Sequence, residues 1–287
     1  MSPSFAIIVD GTAALPAELA RELDISFLPV HVNFGDQSFT QGVDLSFDQF
    51  YTRLEKPDAK PTTSQPSLGE CRETYEAAFR NGAAGILVVT LATELSGTYS
   101  AAVTAAQQHE QPIEVVDSRG TAGSTSLIAT ACARARAKGA SFEETVALAR
   151  KLAGHVKLRA IIDTLEQLKR SGRASGMQAM FGSLLKVKPI IKIENGKLDP
   201  IDKVRTREKA MARLQELVEA EVPPGEKLHA SVIHTNAPDR AKALSDWVAG
   251  RYRCVELYTA EAGPAIATHG GPGVLGLCWY PESLLGS

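Results

Sequence analysis

Hydroxyl-bearing side chains gather at several places in this 287-residue chain where ordered segments turn into helices. One is Lys60-Pro61-Thr62-Thr63-Ser64-Gln65-Pro66-Ser67, with four hydroxyls in eight residues and two prolines restraining the backbone. Ser67-Leu68-Gly69-Glu70 has the spacing of a capping box, which predicts a helix start at this point. Hydroxyls and free amides before a helix N-terminus favour a small anion or a carboxylate. A second such turn, Ala92-Thr93-Glu94-Leu95-Ser96-Gly97-Thr98-Tyr99-Ser100, places Ser96 and Thr98 at another predicted helix start. His269 stands among Gly270, Gly271, Pro272 and Gly273, in a predicted turn after an apolar stretch read as a strand. Each of these features also has a purely structural reading: a capped polar loop, a routine strand-to-helix connection, a turn histidine facing water.

The elements that would position these groups follow from the apolar pattern. Phe5–Val9 and Gly85–Leu91 are continuous apolar runs, as expected of strands buried on both faces. Phe27–Asn33 reads as a strand leading into a hairpin arm around Gly35-Asp36, and Ile113–Asp117 as another strand. Capping-box starts at Ser46, Ser67 and Ser141 open helices between them. This alternation of strand and helix implies a mainly parallel sheet with right-handed crossovers. Its strands end in hydroxyl-rich turns at Asp10-Gly11-Thr12, Ala92–Ser100 and Ser118–Gly123. Ligands of open α/β sheets sit beyond such strand ends, so the three turns converge on one candidate site.

The second half changes character. Leu158–Asp163 is a predicted strand, followed by the basic turn Lys169-Arg170-Ser171-Gly172-Arg173 and a predicted helix from Phe181 to Lys186. Lys188–Ile193 and Lys197–Val204 form a predicted hairpin through Asn195-Gly196. Helices from Thr206 and Asp239 and strands at Leu228–His234, Cys254–Tyr258 and Val274–Trp279 complete an α/β pattern. The expected fold class is therefore α/β in two domains, residues 1–157 and 158–287, packed closely because no long linker separates them.

Composition narrows the function. Lysine and arginine number 31 against 33 acidic residues, a balance that argues against nucleic acid as partner. No apolar run approaches the roughly 18 residues of a membrane span. The start Met1-Ser2-Pro3-Ser4-Phe5 lacks the pattern of a signal peptide. Cys71, Cys132, Cys254 and Cys278 are scattered and read as buried thiols in a reducing cytoplasm. No metal-ligand spacing, P-loop or dinucleotide fingerprint is present. Ser96, His269 and Asp10 can be cast as a hydrolase triad, but there is no G-x-S-x-G elbow. A hydroxyl-lined pocket with a histidine and no evident catalytic engine suits binding better than turnover.

Taken in order, Ile8-Val9-Asp10-Gly11-Thr12, Thr63-Ser64-Gln65-Pro66-Ser67, Leu95-Ser96-Gly97-Thr98-Tyr99, Val116-Asp117-Ser118, Gly172-Arg173, Lys188-Pro189-Ile190 and Thr268-His269-Gly270-Gly271-Pro272-Gly273 resemble the DegV family across nearly the whole chain. Gly11 stands where that family usually has serine, and Gln41 where an aspartate is common. The resemblance implies a DegV-like fold: an N-terminal, mainly parallel sheet with flanking helices packed on a C-terminal α/β domain with a mixed sheet. It also implies a bacterial, cytoplasmic lipid-binding protein that buries one long-chain fatty acid and no cofactor. Such proteins present the acyl carboxylate to a fatty acid kinase for phosphorylation, within phospholipid metabolism and with transient contact at a membrane surface. By this resemblance Thr63, Ser96 and His269 hold the carboxylate, with Arg173 and Arg205 as head-group or kinase contacts. Leu127, Ile128, Phe181, Leu184 and Leu185 are the candidate tunnel lining. A serine esterase using Ser96 and His269 is the alternative.

Overall fold

A computed structural model of the protein describes residues 5–56, 58–173 and 187–285. The predicted helix at Phe181–Lys186, and with it Phe181, Leu184 and Leu185, lies outside the described residues.

The first sheet is parallel throughout, in the order β2 (Ile25–Leu28), β1 (Ala6–Asp10), β6 (Ile86–Thr90), β7 (Ile113–Asp117). Every residue of β6 is buried, as its uninterrupted apolar run requires of a strand covered on both faces. Helices α3 (Leu68–Arg80) and α4 (Thr98–Ala106) cover one face, while α5 (Gly123–Ala137) and α6 (Phe142–Leu152) cover the other.

The predicted strand Phe27–Asn33 is in fact two. Proline has no N–H to give a ladder and fixes its own φ, and the chain breaks at Pro29. Leu28 ends β2, and β3 (His31–Phe34) begins a second, antiparallel sheet in the order β4 (Gln37–Thr40), β3, β5 (Thr62–Ser64). The predicted hairpin at Gly35-Asp36 joins β3 to β4.

The third sheet is mixed, in the order β10 (Lys197–Val204), β9 (Lys188–Glu194), β8 (Lys157–Ile161), β13 (Leu275–Pro281), β11 (Lys227–His234), β12 (Arg253–Glu261). The β9–β10 hairpin turns at Asn195 and Gly196, both at positive φ, as the sequence led one to expect. Helices α8 (Arg207–Glu221) and α9 (Pro238–Arg251) pack on one face. The other face meets α5, so the main hydrophobic cluster draws on both halves of the chain, from Val9 and Val89 to Ile191 and Cys278. A further small cluster joins Val32 and Phe50 to Ala265 and Ala267 of α10 (Gly263–Gly270).

One polar seam holds α5 to the far edge of the third sheet. Arg134 donates twice to Glu256 Oε1, at 2.7 and 3.1 Å, and Glu256 Oε2 lies 3.7 Å from His229 Nδ1. His229 Nε2 bonds Glu282, and the imidazole stacks on Tyr280 with centroids 4.6 Å apart. Burial on its own pushes the His229 pKa down, but the two carboxylates outweigh it and hold the group above its ordinary 6.5. A raised folded pKa means stability that is complete below the unfolded value and lost as pH rises through the folded one. Thermal unfolding midpoints should therefore fall as pH is taken from 6.5 into the alkaline range, and His229→Gln should flatten that fall.

Candidate functional site

Thr63 is positioned by sheet pairing rather than by a loop. Thr62–Ser64 forms β5, in register with β3 so that Val32 stands opposite Thr63. Asn33 Nδ2 donates to Ser64 Oγ at 3.3 Å on the same pair of strands. The chain then enters α3 through the predicted capping box: Ser67 Oγ accepts from the Glu70 N–H at 3.2 Å, and Glu70 Oε2 accepts from the Ser67 N–H at 2.8 Å. Ser67→Ala should cost about 1 kcal/mol of stability, the usual worth of a serine N-cap, and chemical denaturation would measure it.

Ser96 lies in the turn between β6 and α4. Its Oγ is 2.9 Å from Thr98 Oγ1 and accepts from the Thr98 N–H at 3.3 Å. Next to it, Gly97 lets the Gln65 side-chain amide pack closely: a Cβ there would run into Gln65 Oε1. The turns carrying Thr63 and Ser96 are thus in direct contact.

His269 departs from the sequence expectation. The segment before it is not a strand but α10, with Pro264 in its first turn and Ala265, Ile266 and Ala267 in its body. His269 occupies the last turn, and Gly271 at φ 79° ends the helix. The imidazole Nε2 is 2.7 Å from Thr63 Oγ1, a bond spanning 206 residues of chain. His269 Nδ1 is buried and has no hydrogen-bond partner among the described residues. Burial, reinforced by the charges of Arg173 and Arg170, lowers the His269 pKa to about 4. The ring is therefore neutral at pH 7, with one N–H to donate.

Thr63, Ser96, His269 and Arg173 line one cavity of about 410 Å³, within the range of small-molecule sites. Arg173 is exposed, and its guanidinium donates to the Ser171 carbonyl at 2.7 Å. Arg205 is exposed beyond the end of β10 and is not part of the lining.

Much of the rest of the wall is aliphatic and comes from strands of the third sheet. Leu158, Ala160 and Ile162 alternate along and just past β8, and Ile191 and Ile193 along β9. Their out-of-phase neighbours Ile161 and Ile190 pack into the core on the opposite face. The two-residue period of a strand dictates this division. Leu127 and Ile128 do not line the cavity. Both are fully buried inside α5, and it is Thr121 and Ala122, just before that helix, that reach the wall.

The hydrolase arrangement is not assembled. Asp10 is almost wholly buried and its carboxylate is committed to structure, accepting from the Thr12 N–H at 2.8 Å, the Thr12 hydroxyl at 2.5 Å and the Leu91 N–H at 2.6 Å. Among the described residues no carboxylate bonds His269, and its ring faces Thr63 where a triad would need Ser96. Nor is there a cluster of metal-ligating side chains among the described residues. The arrangement offers a buried polar end and an aliphatic enclosure.

Residues 4–282 match the family model described as "Uncharacterised protein, DegV family". The chain belongs to the DegV family. A DegV domain-containing protein of Streptomyces coelicolor is 39% identical over 279 residues, covering 96% of this chain and 98% of that one. Protein DegV of Bacillus subtilis is 34% identical, covering 96% of this chain and 99% of its own. The crystal structure of the Bacillus subtilis DegV, described as a fatty acid binding protein, superposes with a TM-score of 0.87 at 32% identity, covering 98% of this chain and 100% of that one. A DegV family protein from Thermus thermophilus, also described by its fatty acid binding, gives a TM-score of 0.90 at 27% identity, covering 97% and 99% of the two chains. The parallel first sheet and mixed third sheet are those of the DegV fold.

Proposed function

We propose that this DegV family member binds one long-chain fatty acid in the cavity, with its carboxylate at Thr63, Ser96 and His269. The observation that carries this reading is the Thr63–His269 pair standing in a cavity walled largely by aliphatic side chains. A buried carboxylate needs hydrogen bonds to offset its desolvation. A neutral His269 that donates from Nε2 to Thr63 Oγ1 leaves the threonine proton free to point at the ligand, and the Ser96 hydroxyl adds a second donor. Arg173 and Arg170 add positive potential without a buried ion pair. The acyl chain supplies affinity at about 0.8 kcal/mol per methylene buried. The fatty acid binding of the Bacillus subtilis and Thermus thermophilus relatives supports the same reading.

The protein then acts as carrier and not as catalyst: it presents the carboxylate to a fatty acid kinase, which supplies the phosphoryl transfer chemistry in the cytoplasm. Acyl phosphate formed in this way feeds phospholipid synthesis, and exchange of the lipid takes place at a membrane surface. Among the described residues no helix is long and apolar enough to cross a membrane. Arg173 at the cavity and Arg205 on the surface beyond β10 are the proposed contacts for the kinase. The test is phosphorylation of the bound acid by a bacterial fatty acid kinase with ATP. The expected result is acyl phosphate formation that depends on this protein and falls in Arg173→Ala. Failure of the loaded protein to support any acyl phosphate formation would remove the kinase part of the proposal.

A further inference from the structure

Helix α10 starts without a cap of its own, because Ala262 at its N-cap position has no side-chain oxygen. An amide from elsewhere in the chain takes that role. Gln41, just past β4, accepts from the Ala265 N–H with Oε1 at 2.7 Å. Its Nε2 donates to the Gly11 carbonyl, also at 2.7 Å. The Gln41 main-chain N–H is itself fixed by the Val30 carbonyl at 3.0 Å. Gly263, at φ +70°, leaves room for this: a Cβ there would stand 2.8 Å from Gln41 Nε2.

Both ends of the clamp belong to the cavity. Thr12, next to Gly11, lines it, and so do Ala265 and His269 on α10. The helix is only eight residues long, so the placement of its first turn fixes where its last turn points. His269 meets Thr63 within 2.7 Å from that last turn, and a displacement of about 1 Å would take the pair out of hydrogen-bond range.

We propose that Gln41 is a positioning residue for the head group. It sets His269 against Thr63 by clamping α10 to the first strand-to-helix turn. This inference rests on the reading that an acyl carboxylate binds at Thr63 and His269. An uncharged amide satisfies both partners at once. A carboxylate at the same place accepts from Ala265 but turns a lone pair toward the Gly11 carbonyl, and an alkyl side chain does neither.

The experiment compares dissociation constants for a long-chain fatty acid and for the primary alcohol of the same chain length. It is run on the natural protein, Gln41→Leu and the near-isosteric Gln41→Glu. The natural protein should prefer the acid. Both variants should bind the alcohol within about twofold of the natural protein while acid binding falls by about tenfold, the scale of one charged hydrogen bond. Loss of acid and alcohol binding together would mean that Gln41 only supports the cavity, and would overturn the proposal. So would an undiminished preference for the acid in both variants. If the natural protein itself shows no preference, the head-group reading fails and Gln41 has nothing to position. Gln41→Glu keeps the test open should Gln41→Leu fail to fold.

Discussion

Replacing His269 by alanine is expected to weaken binding of a long-chain fatty acid by about tenfold to a hundredfold. His269 acts through Thr63: its Nε2–H turns the Thr63 proton toward the ligand, and the charged hydrogen bond misdirected in its absence contributes about 1.5–3 kcal/mol, at 1.4 kcal/mol per tenfold. The effect on folding should be much smaller. His269 is only partly buried, and the bond it gives up inside the protein is the one to Thr63. Thermal unfolding of the lipid-free variant should stay close to that of the natural protein, while isothermal titration reports the lost affinity. The same histidine makes a spectroscopic prediction. Burial, Arg173 and Arg170 hold its pKa down at about 4. A bound carboxylate places a negative charge beside a ring whose charged form is opposed by burial, Arg173 and Arg170, and so raises that value. Two-dimensional NMR of the imidazole, with and without lipid, should show the upward move. A midpoint unchanged by saturating fatty acid would separate His269 from the carboxylate.

The second large effect is on stability. Arg159 on β8 is almost fully buried and holds two carboxylates. Its guanidinium donates to Glu221 at 2.8 and 2.7 Å in a two-pronged contact and to Glu194 at 2.7 Å. Partial burial works to raise the Glu194 carboxyl, but Lys192, Arg159 and Lys157 overcome this and bring it down to about 2. Arg159→Met should destabilise the protein by about 3–5 kcal/mol, the usual result of removing one partner from a buried ion pair. A carboxylate with a depressed folded pKa stabilises above its unfolded value, here 4.5, and loses that contribution as pH falls toward the folded one. The gap between variant and natural protein should therefore be widest near neutrality and narrow as pH drops below 4.5 toward 2. Denaturant titrations at pH 7 and pH 3 measure both values. A stability difference below about 1 kcal/mol at pH 7 would show that the network is replaceable by packing. The position matters for the site as well. Arg159 alternates with Leu158 and Ala160, so the network ties down the back of the strand whose other face lines the cavity.

How much of this was legible in the sequence depends on how far apart the interacting groups are. Capping boxes at Ser46, Ser67 and Ser141 are local, and all three form as their spacing dictates. The buried strand at β6 and the Asn195-Gly196 hairpin are local too. Residue types marked the turns, but it was the resemblance to the DegV family that singled out Thr63, Ser96 and His269 together, and they do share one cavity. Their supports were misread in two cases. Thr62–Ser64 looked like loop because Pro61 and Pro66 flank it, yet pairing with β3 overrides that signal. Ala265–Thr268 looked like strand because it is short and apolar, a run that periodicity alone cannot assign, whereas Pro264 before it and Gly271 after it were helix-boundary signals available in the sequence. Leu127 and Ile128 were chosen for hydrophobicity, which does not separate core from cavity wall. The alternation of Leu158, Ala160 and Ile162 against Ile161 would have been the better guide. The Gln41 amide could not have been foreseen, since its partners lie 30 and 224 residues away.

The central claim is that the cavity holds a fatty acid. Native mass spectrometry of the delipidated protein, titrated with a long-chain fatty acid, tests it most directly. The expected result is a mass increase of one acid per chain, saturating at a single equivalent and strongly reduced in a Thr63→Ala, His269→Ala double variant. A protein that takes up no acid, or that binds it equally well with both residues replaced, would contradict the account.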